Sequence, residues 1–296
     1  MTRQGKAYAY ALGAVFFWST VASAFKLSLR YLDPIQLLFY ANIVSIVTLF
    51  LVLVGQKKLW LLTQYSRREL SRCAVLGFLN PFLYYIVLFK AYDLLPAQEA
   101  QPLNYTWAIM LAILSVPLLK QKIGLKEFGA IFISYFGVVV ISTHGDLLSL
   151  RFSNTTGVML ALGSTVIWAL YWIYNTKDTN DPVASLFLNF VFAFPFVLAA
   201  TALFSTIDIS PQVGLFGALY VGIFEMGITF VLWLKALKLS STTAKVGTLI
   251  FFAPFLSLVF IHFLVDEHIR FSTVVGLVFI VAGTLLQQWV GKTPKS

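Results

Sequence analysis

Residues 13–34 read GAVFFWSTVASAFKLSLRYLDP, and residues 163–182 read GSTVIWALYWIYNTKDTNDP. Gly13, Trp18 and Asp33-Pro34 thus return as Gly163, Trp168 and Asp181-Pro182. Glycine precedes tryptophan by the same interval in both copies, and the distance on to Asp-Pro is nearly the same. A second echo lies downstream: Gly77, Lys90 and Ala91 return as Gly222, Lys235 and Ala236. A repeat of this length decides the architecture before any local reading begins. The chain divides into a first copy, 1–145, and a second, 146–296.

Hydrophobic residues make up 59% of the 296 residues and charged residues 11%, with a mean hydropathy of +0.85. A soluble domain carries about 25% charged residues, so this composition reads as a polytopic membrane protein. Ten apolar stretches approach the roughly 20 residues that a spanning helix needs. They lie near 7–28, 34–54, 72–92, 97–119, 125–142, 156–175, 182–204, 213–237, 242–264 and 271–290. The runs are continuous, without the alternation of a membrane barrel, and helices satisfy their own backbone in lipid. The expected fold is all-α, with ten transmembrane helices.

With the N-terminus placed in the cytoplasm, sixteen of the 21 basic residues fall on the inner side. Only Lys26, Arg30, Lys90, Arg151 and Arg270 remain outside. That asymmetry orients the chain with both termini cytoplasmic. It also explains the net charge of +9 without a nucleic-acid partner, because the excess faces the anionic leaflet. The run after Arg3 and Lys6 lacks a small-residue cleavage site and matches the sixth stretch. It is expected to be retained as the first span, with no soluble domain appended. Segment 56–71 reads as a polar, basic, cytoplasmic connection. A single cysteine, Cys73, allows no internal disulfide.

Each copy holds five spans, an odd number, so the second enters the membrane from the opposite face. Two inverted-topology five-helix repeats characterise secondary transporters, whose sites lie near the midplane between the halves. The order of several features resembles the ten-helix EamA type of drug/metabolite transporter along the whole chain. They are the Trp18 and Trp168 helices, the Lys90-Ala91 and Lys235-Ala236 ends, the Gly129/Gly137 and Gly276/Gly283 spacings, and the acidic end of span 9 at Asp266-Glu267. Span 4 departs by ending Lys120-Gln121-Lys122. Glu99, Asn104-Tyr105 and Trp107 resemble the fourth helix of the aromatic amino acid exporters in that family, with Ala108 where those proteins carry proline. The resemblance implies export of amino acids or related metabolites across the inner membrane of a bacterial or archaeal cell.

Glu225 is the clearest candidate for the work of transport. It sits mid-span between Gly222 and Gly227, and an ionisable group at such depth faces a cavity or a partner. Desolvation penalises its charged form, so it can exchange protons. Its repeat counterpart is Asn80, followed by Pro81. Glu99 and Lys245 lie about one turn into spans 4 and 9. Each fits either the cavity or snorkelling to the interface, and Lys245 could meet a substrate carboxylate. Trp18 and Trp168 match at interior depth, and Asn104 and Trp107 share a helix face. Tyr84, Tyr105 and Tyr171 can bring hydroxyls to the same space. For each of these, ordinary helix packing is the competing reading.

Enzymatic readings fail on residue grounds. His144, His262 and His268 are scattered and offer no metal-ligand spacing with one cysteine. No phosphate-binding Gly-Lys-Ser/Thr loop occurs, and Gly163-Ser164 lacks the surroundings of a nucleophile elbow. No cofactor is implied. The expected function is a secondary active transporter, with a small-molecule substrate, the bilayer and protons as partners. The alternatives are a carrier of anionic or phosphorylated metabolites, which would lean on Lys245, and a non-transporting sensor or assembly protein. The charge asymmetry has a direct test. A cysteine at position 146 should react with an impermeant thiol reagent applied outside intact cells, and one at position 67 should not. The reverse pattern overturns the orientation.

Overall fold

The computed structural model describes residues 2–120, 124–148, 152–175, 178–208, 212–240 and 248–290. Among these residues all the regular elements are helices. In chain order they are α1 (Arg3–Ser28), α2 (Pro34–Gly55), α3 (Arg67–Leu94), α4 (Ala97–Leu119), α5 (Leu125–Ser142), α6 (Thr155–Asn175), α7 (Pro182–Phe204), α8 (Val213–Leu239), α9 (Leu249–Val265) and α10 (Phe271–Val290). Seven of them, α1 to α4 and α6 to α8, are long and apolar enough to cross a membrane. α5, α9 and α10 carry shorter apolar stretches, Phe128–Ser142, Leu249–Val265 and Phe271–Leu286. This is a multi-pass integral membrane protein. The first part of the ninth stretch read from the sequence, with Lys245, lies outside the described residues.

The repeated Asp-Pro pair is a helix start in both copies. Asp33 accepts from the amides of Ile35 (2.8 Å) and Gln36 (3.0 Å), and Gln36 accepts in return from the Asp33 amide (3.0 Å). Asp181 accepts likewise from Val183 (3.0 Å) and Ala184 (3.2 Å). Proline follows at the first helical position, where its missing N–H costs nothing. Burial opposes ionisation of Asp181, but the Lys58 ammonium at 2.5 Å and the capping amides outweigh it and hold the carboxyl below its ordinary value. Segment 56–71 differs from the sequence reading. It contains a short 3₁₀ turn, Leu59–Gln64, and Leu59, Leu61, Leu62 and Tyr65 pack against the core. Its charges sit among leucines that do find helix partners, so it is more than a solvated connection.

Packing between the copies is reciprocal. α1 lies against α8 and α9, while α6 lies against α3 and α4. α2 touches α7 and α8, and α7 touches α2 and α3. α5 packs most extensively on α10. The repeated glycines explain how two of these crossings close. A Cβ on Gly77 would lie 2.2 Å from the Asn189 carbonyl oxygen, and one on Gly222 would lie 2.6 Å from that of Ala41. Small residues let backbones approach where lipid supplies no hydrophobic drive.

The α5–α10 crossing is equally tight. A Cβ on Gly137 would stand 2.4 Å from the Gly276 carbonyl oxygen, whereas one on Gly129, two turns earlier on α5, would meet nothing within 4 Å. Gly137→Val should therefore cost about 1–3 kcal/mol through overpacking and lower the thermal unfolding midpoint in detergent. Gly129→Val should leave that midpoint nearly unchanged. Equal effects of the two changes would show that backbone contact does not set this crossing.

Candidate functional site

Two helices lose regular winding at matching places in the two copies. α3 widens over Phe78–Leu83, where Asn80 is extended (φ −147, ψ 117) and Pro81 follows. α8 widens into a π-type turn over Val221–Ile228, which contains Glu225. Proline removes a donor and crowds the preceding turn, and wide turns of this kind recur at functional sites. The Gly222 carbonyl, inside the wide turn, accepts from Ser45 Oγ on α2 at 3.0 Å. α4 is interrupted too, at Tyr105 and Thr106 just after Pro102, and resumes at Trp107.

Beside these interruptions lies a cavity of ≈ 220 Å³. The first copy contributes Trp18 from α1, Tyr84 from α3, and Asn104, Tyr105 and Trp107 from α4. The second contributes Trp168 and Trp172 from α6, Glu225 and Trp233 from α8, and Phe251 from α9. The rings interlock: Tyr84 lies over Trp168 with centroids 4.5 Å apart, and Trp18 meets Trp233 edge-on at 5.3 Å. Asn104 ties the two copies together. It accepts from Tyr84 Oη (3.3 Å) and donates to Ser164 Oγ on α6 (3.0 Å).

Glu225 is 7% exposed. Its Oε1 accepts from Tyr85 Oη at 3.1 Å, and the Trp18 indole N–H is a second donor directed at the carboxylate. Oε2 accepts no hydrogen bond among the described residues. No Lys, Arg or His among the described residues forms an ion pair with this carboxylate. Buried polar atoms are nearly always satisfied, so a carboxylate oxygen left over beside an aromatic-walled cavity invites a proton or a cationic ligand.

Most of the candidates read from the sequence meet here: Trp18, Tyr84, Asn104, Tyr105, Trp107, Trp168 and Glu225. Asn80 and Tyr171 do not line the cavity. Asn80 is fully buried, and the Tyr171 hydroxyl stands beside it and Asn189, while the Tyr171 ring stacks on Trp168. Lys245 lies outside the described residues. Glu99 lies elsewhere, at the first turn of α4. It has no exposed side-chain surface, and it bonds His144 Nε2 (2.8 Å), Arg270 Nη1 (2.5 Å) and Ser153 Oγ. Glu267 caps the same helix by accepting from the amides of Ala97 (2.8 Å) and Gln98 (3.1 Å). Glu99 therefore closes one end of the helix group instead of lining the cavity.

Tyr85, Trp172 and Trp233 were missed by the sequence reading. Helical spacing could have found Trp172, which follows Trp168 by one turn. Trp233 lies past the wide turn of α8, where regular spacing does not carry direction over from Glu225. No local signal marks His144, Ser153 or Arg270, because their link to Glu99 is made only by folding.

The sequence model of the EamA-like transporter family matches residues 5–143 and again residues 155–287. The chain belongs to this family. An uncharacterized transporter of Archaeoglobus fulgidus is 24% identical over 92% of this chain and 93% of its own. One from Clostridium kluyveri is 25% identical over 95% and 92%, and the uncharacterized transporter YyaM of Bacillus subtilis is 22% identical over 97% and 95%. A crystal structure superposes with a TM-score of 0.67 at 18% identity, covering 99% of both chains, which shows a shared fold. Family and relatives describe a membrane transporter and not an enzyme.

The Glu99 cluster carries a stability test. Arg270→Ala leaves a fully buried carboxylate without its guanidinium. Breaking such a pair costs several kcal/mol, reduced here to about 1–3 because Arg270 is partly exposed. The thermal midpoint should fall, and adding Glu99→Gln should recover part of the loss, since a neutral amide needs no counter-charge. No recovery would mean that Arg270 acts through packing alone.

Proposed function

We propose that this protein is a secondary transporter that exports small organic metabolites, amino acids or related amines, by alternating access. The single observation that carries the reading is the cavity between the two copies, walled by aromatic rings and holding one carboxylate with an unused oxygen. The ammonium of an amino acid or amine matches that oxygen. The rings suit its apolar body and add cation–π attraction. Protons and the ammonium compete for the same carboxylate, which is how one site couples two ligands.

The remaining parts of the proposal are ten spans in two inverted halves, with both termini in the cytoplasm of a bacterial or archaeal cell. Contact directions support the inversion. α1 runs antiparallel to α8: Gly214 abuts Leu32 at one end, and Arg3 reaches the Lys238 carbonyl at the other. α6 and α3 repeat this, with Gly157 on Leu95 and Arg72 paired to Asp178. α2 and α7 are antiparallel to each other, from Gln36–Thr206 at one end to Lys58–Asp181 at the other. A rotation about an axis in the membrane plane relates these pairs, and such halves can exchange conformations. The Glu99–Arg270 cluster would be the closed outer gate.

The test is transport by purified protein in proteoliposomes, with labelled amino acids, nucleosides and sugar phosphates at two pH gradients. An amino acid should accumulate with a rate that follows the gradient. Glu225→Gln should remain folded and monodisperse but lose that dependence. Preference for a sugar phosphate would favour the anion-carrier alternative, and no transport of any probe would favour a sensor or assembly role. Unchanged rate and unchanged pH response in Glu225→Gln would make the carboxylate structural.

A further inference from the structure

Comparison of the two copies against each other isolates one more residue. The offset that matches Gly77 with Gly222 also matches Asn80 with Glu225 and Tyr85 with Phe230. In the first copy the polar group of the wide turn is a neutral amide, and in the second it is a carboxylate. The cross-copy partner changes with it. Glu225 on α8 faces Tyr85 on α3, whose hydroxyl donates to Oε1 at 3.1 Å. The position equivalent to Tyr85 on α8 is Phe230, which has no hydroxyl to offer α3. Both rings are buried, Tyr85 fully and Phe230 nearly so. The fold thus accepts a plain buried phenyl ring at the equivalent place in the other copy, where packing does not require a hydroxyl.

The geometry points to Tyr85 as the positioning residue for Glu225: its hydroxyl holds Oε1 and leaves Oε2 as the oxygen that meets the ligand. This rests on the transport reading of Glu225 given above. Without a tether, the carboxylate on a widened turn could rotate both oxygens into the wall. A hydrogen bond to a charged group is among the stronger ones, and here the surrounding protein is low in dielectric. The other titratable groups that face Glu225 are also tyrosines: Tyr84 and Tyr92 on α3 and Tyr105 on α4. α1 presents the Trp18 indole, and α2 presents Ser45 and Thr48 to the wide turn. Of the tyrosines, Tyr85 is the one whose hydroxyl is bonded to the carboxylate.

Infrared difference spectra between acidic and alkaline buffers test this on the reconstituted full-length protein without any substrate. The carboxyl stretch of Glu225 is identified as the band that Glu225→Gln removes. Tyr85→Phe, which removes one oxygen, should move that band to higher frequency, because a hydrogen-bonded carbonyl absorbs lower. An unmoved band overturns the inference whatever transport shows. Counterflow of labelled tryptophan supplies the functional arm. Tyr85→Phe should slow exchange several-fold in the wild-type background and add nothing in the Glu225→Gln background. An equal slowing in both backgrounds would make Tyr85 a packing residue. If Glu225→Gln alone changes nothing in transport while the band still moves in Tyr85→Phe, the tether stands and the transport role of Glu225 falls. 3-Fluorotyrosine at position 85, which keeps the ring and makes the hydroxyl a stronger donor, should move the same band to lower frequency and covers the case in which the phenyl variant is unstable. An unmoved band there also overturns the inference.

Discussion

A hydrocarbon interior offers no hydrogen bonds, so every polar group inside it must find a partner within the protein. The structure depends on that constraint throughout. Helices absorb the backbone, Asp33 and Asp181 cap the ends that would otherwise expose amides, and Ser45 reaches the Gly222 carbonyl inside the wide turn of α8. Asn104 spends both ends of its amide bridging α3 to α6. Several buried side-chain atoms find no partner among the described residues, Asn42 and Asn80 included, and the leftover oxygen of Glu225 is the one carboxylate oxygen among them. It lies beside the cavity, where a ligand or proton can complete it.

The helical class and the two-copy organisation could be read from composition and repeat because both are set by local chemistry. Asp-Pro marks a helix start wherever it occurs, and Gly77 and Gly222 mark the crossings where backbones nearly touch. Trp18 and Trp168 could be matched because regular helices carry equal offsets to equal directions. The same reasoning misplaced Asn80. Its φ of −147 takes it out of the helical path, so an equal offset no longer means an equal direction, and it faces Tyr171 instead of the cavity. Glu99 was misplaced for another reason. Its partners, His144, Ser153 and Arg270, are 45, 54 and 171 positions away, and no periodicity reports a contact of that range.

Two copies of one fold need not do the same work. The reciprocal packing survives where small residues set it, at Gly77 and Gly222. The polar chemistry has diverged, with Asn80 and Phe230 on one side of the relation and Glu225 and Tyr85 on the other. One carboxylate between two halves gives one place where charge must be balanced. A second, facing it across the cavity, would repel the first in a medium where like charges interact strongly.

Under the transport reading, the outer end must open, and the burial of Glu99 limits how. Its partners come from three places: His144 just after α5, Ser153 before α6, and Arg270 just before α10. α5 and α10 are locked together at Gly137 and Gly276, where their backbones nearly touch. Pulling α4 away from that pair would strand a carboxylate with no exposed surface in a low-dielectric site, the costly way to break an ion pair. The bonds along α1 are of another kind. Lys26 Nζ donates to the carbonyls of Tyr92 and Leu95 at 2.8 Å each, and Arg30 donates to the Val265 carbonyl at 2.8 Å. These hydrogen bonds run from cations to neutral carbonyls, with Lys26 half-buried and Arg30 exposed, and water can replace a carbonyl there at small cost. On that reading, the line of least resistance at the outer end runs beside α1, and α4 stays with α5 and α10 through the Glu99 cluster.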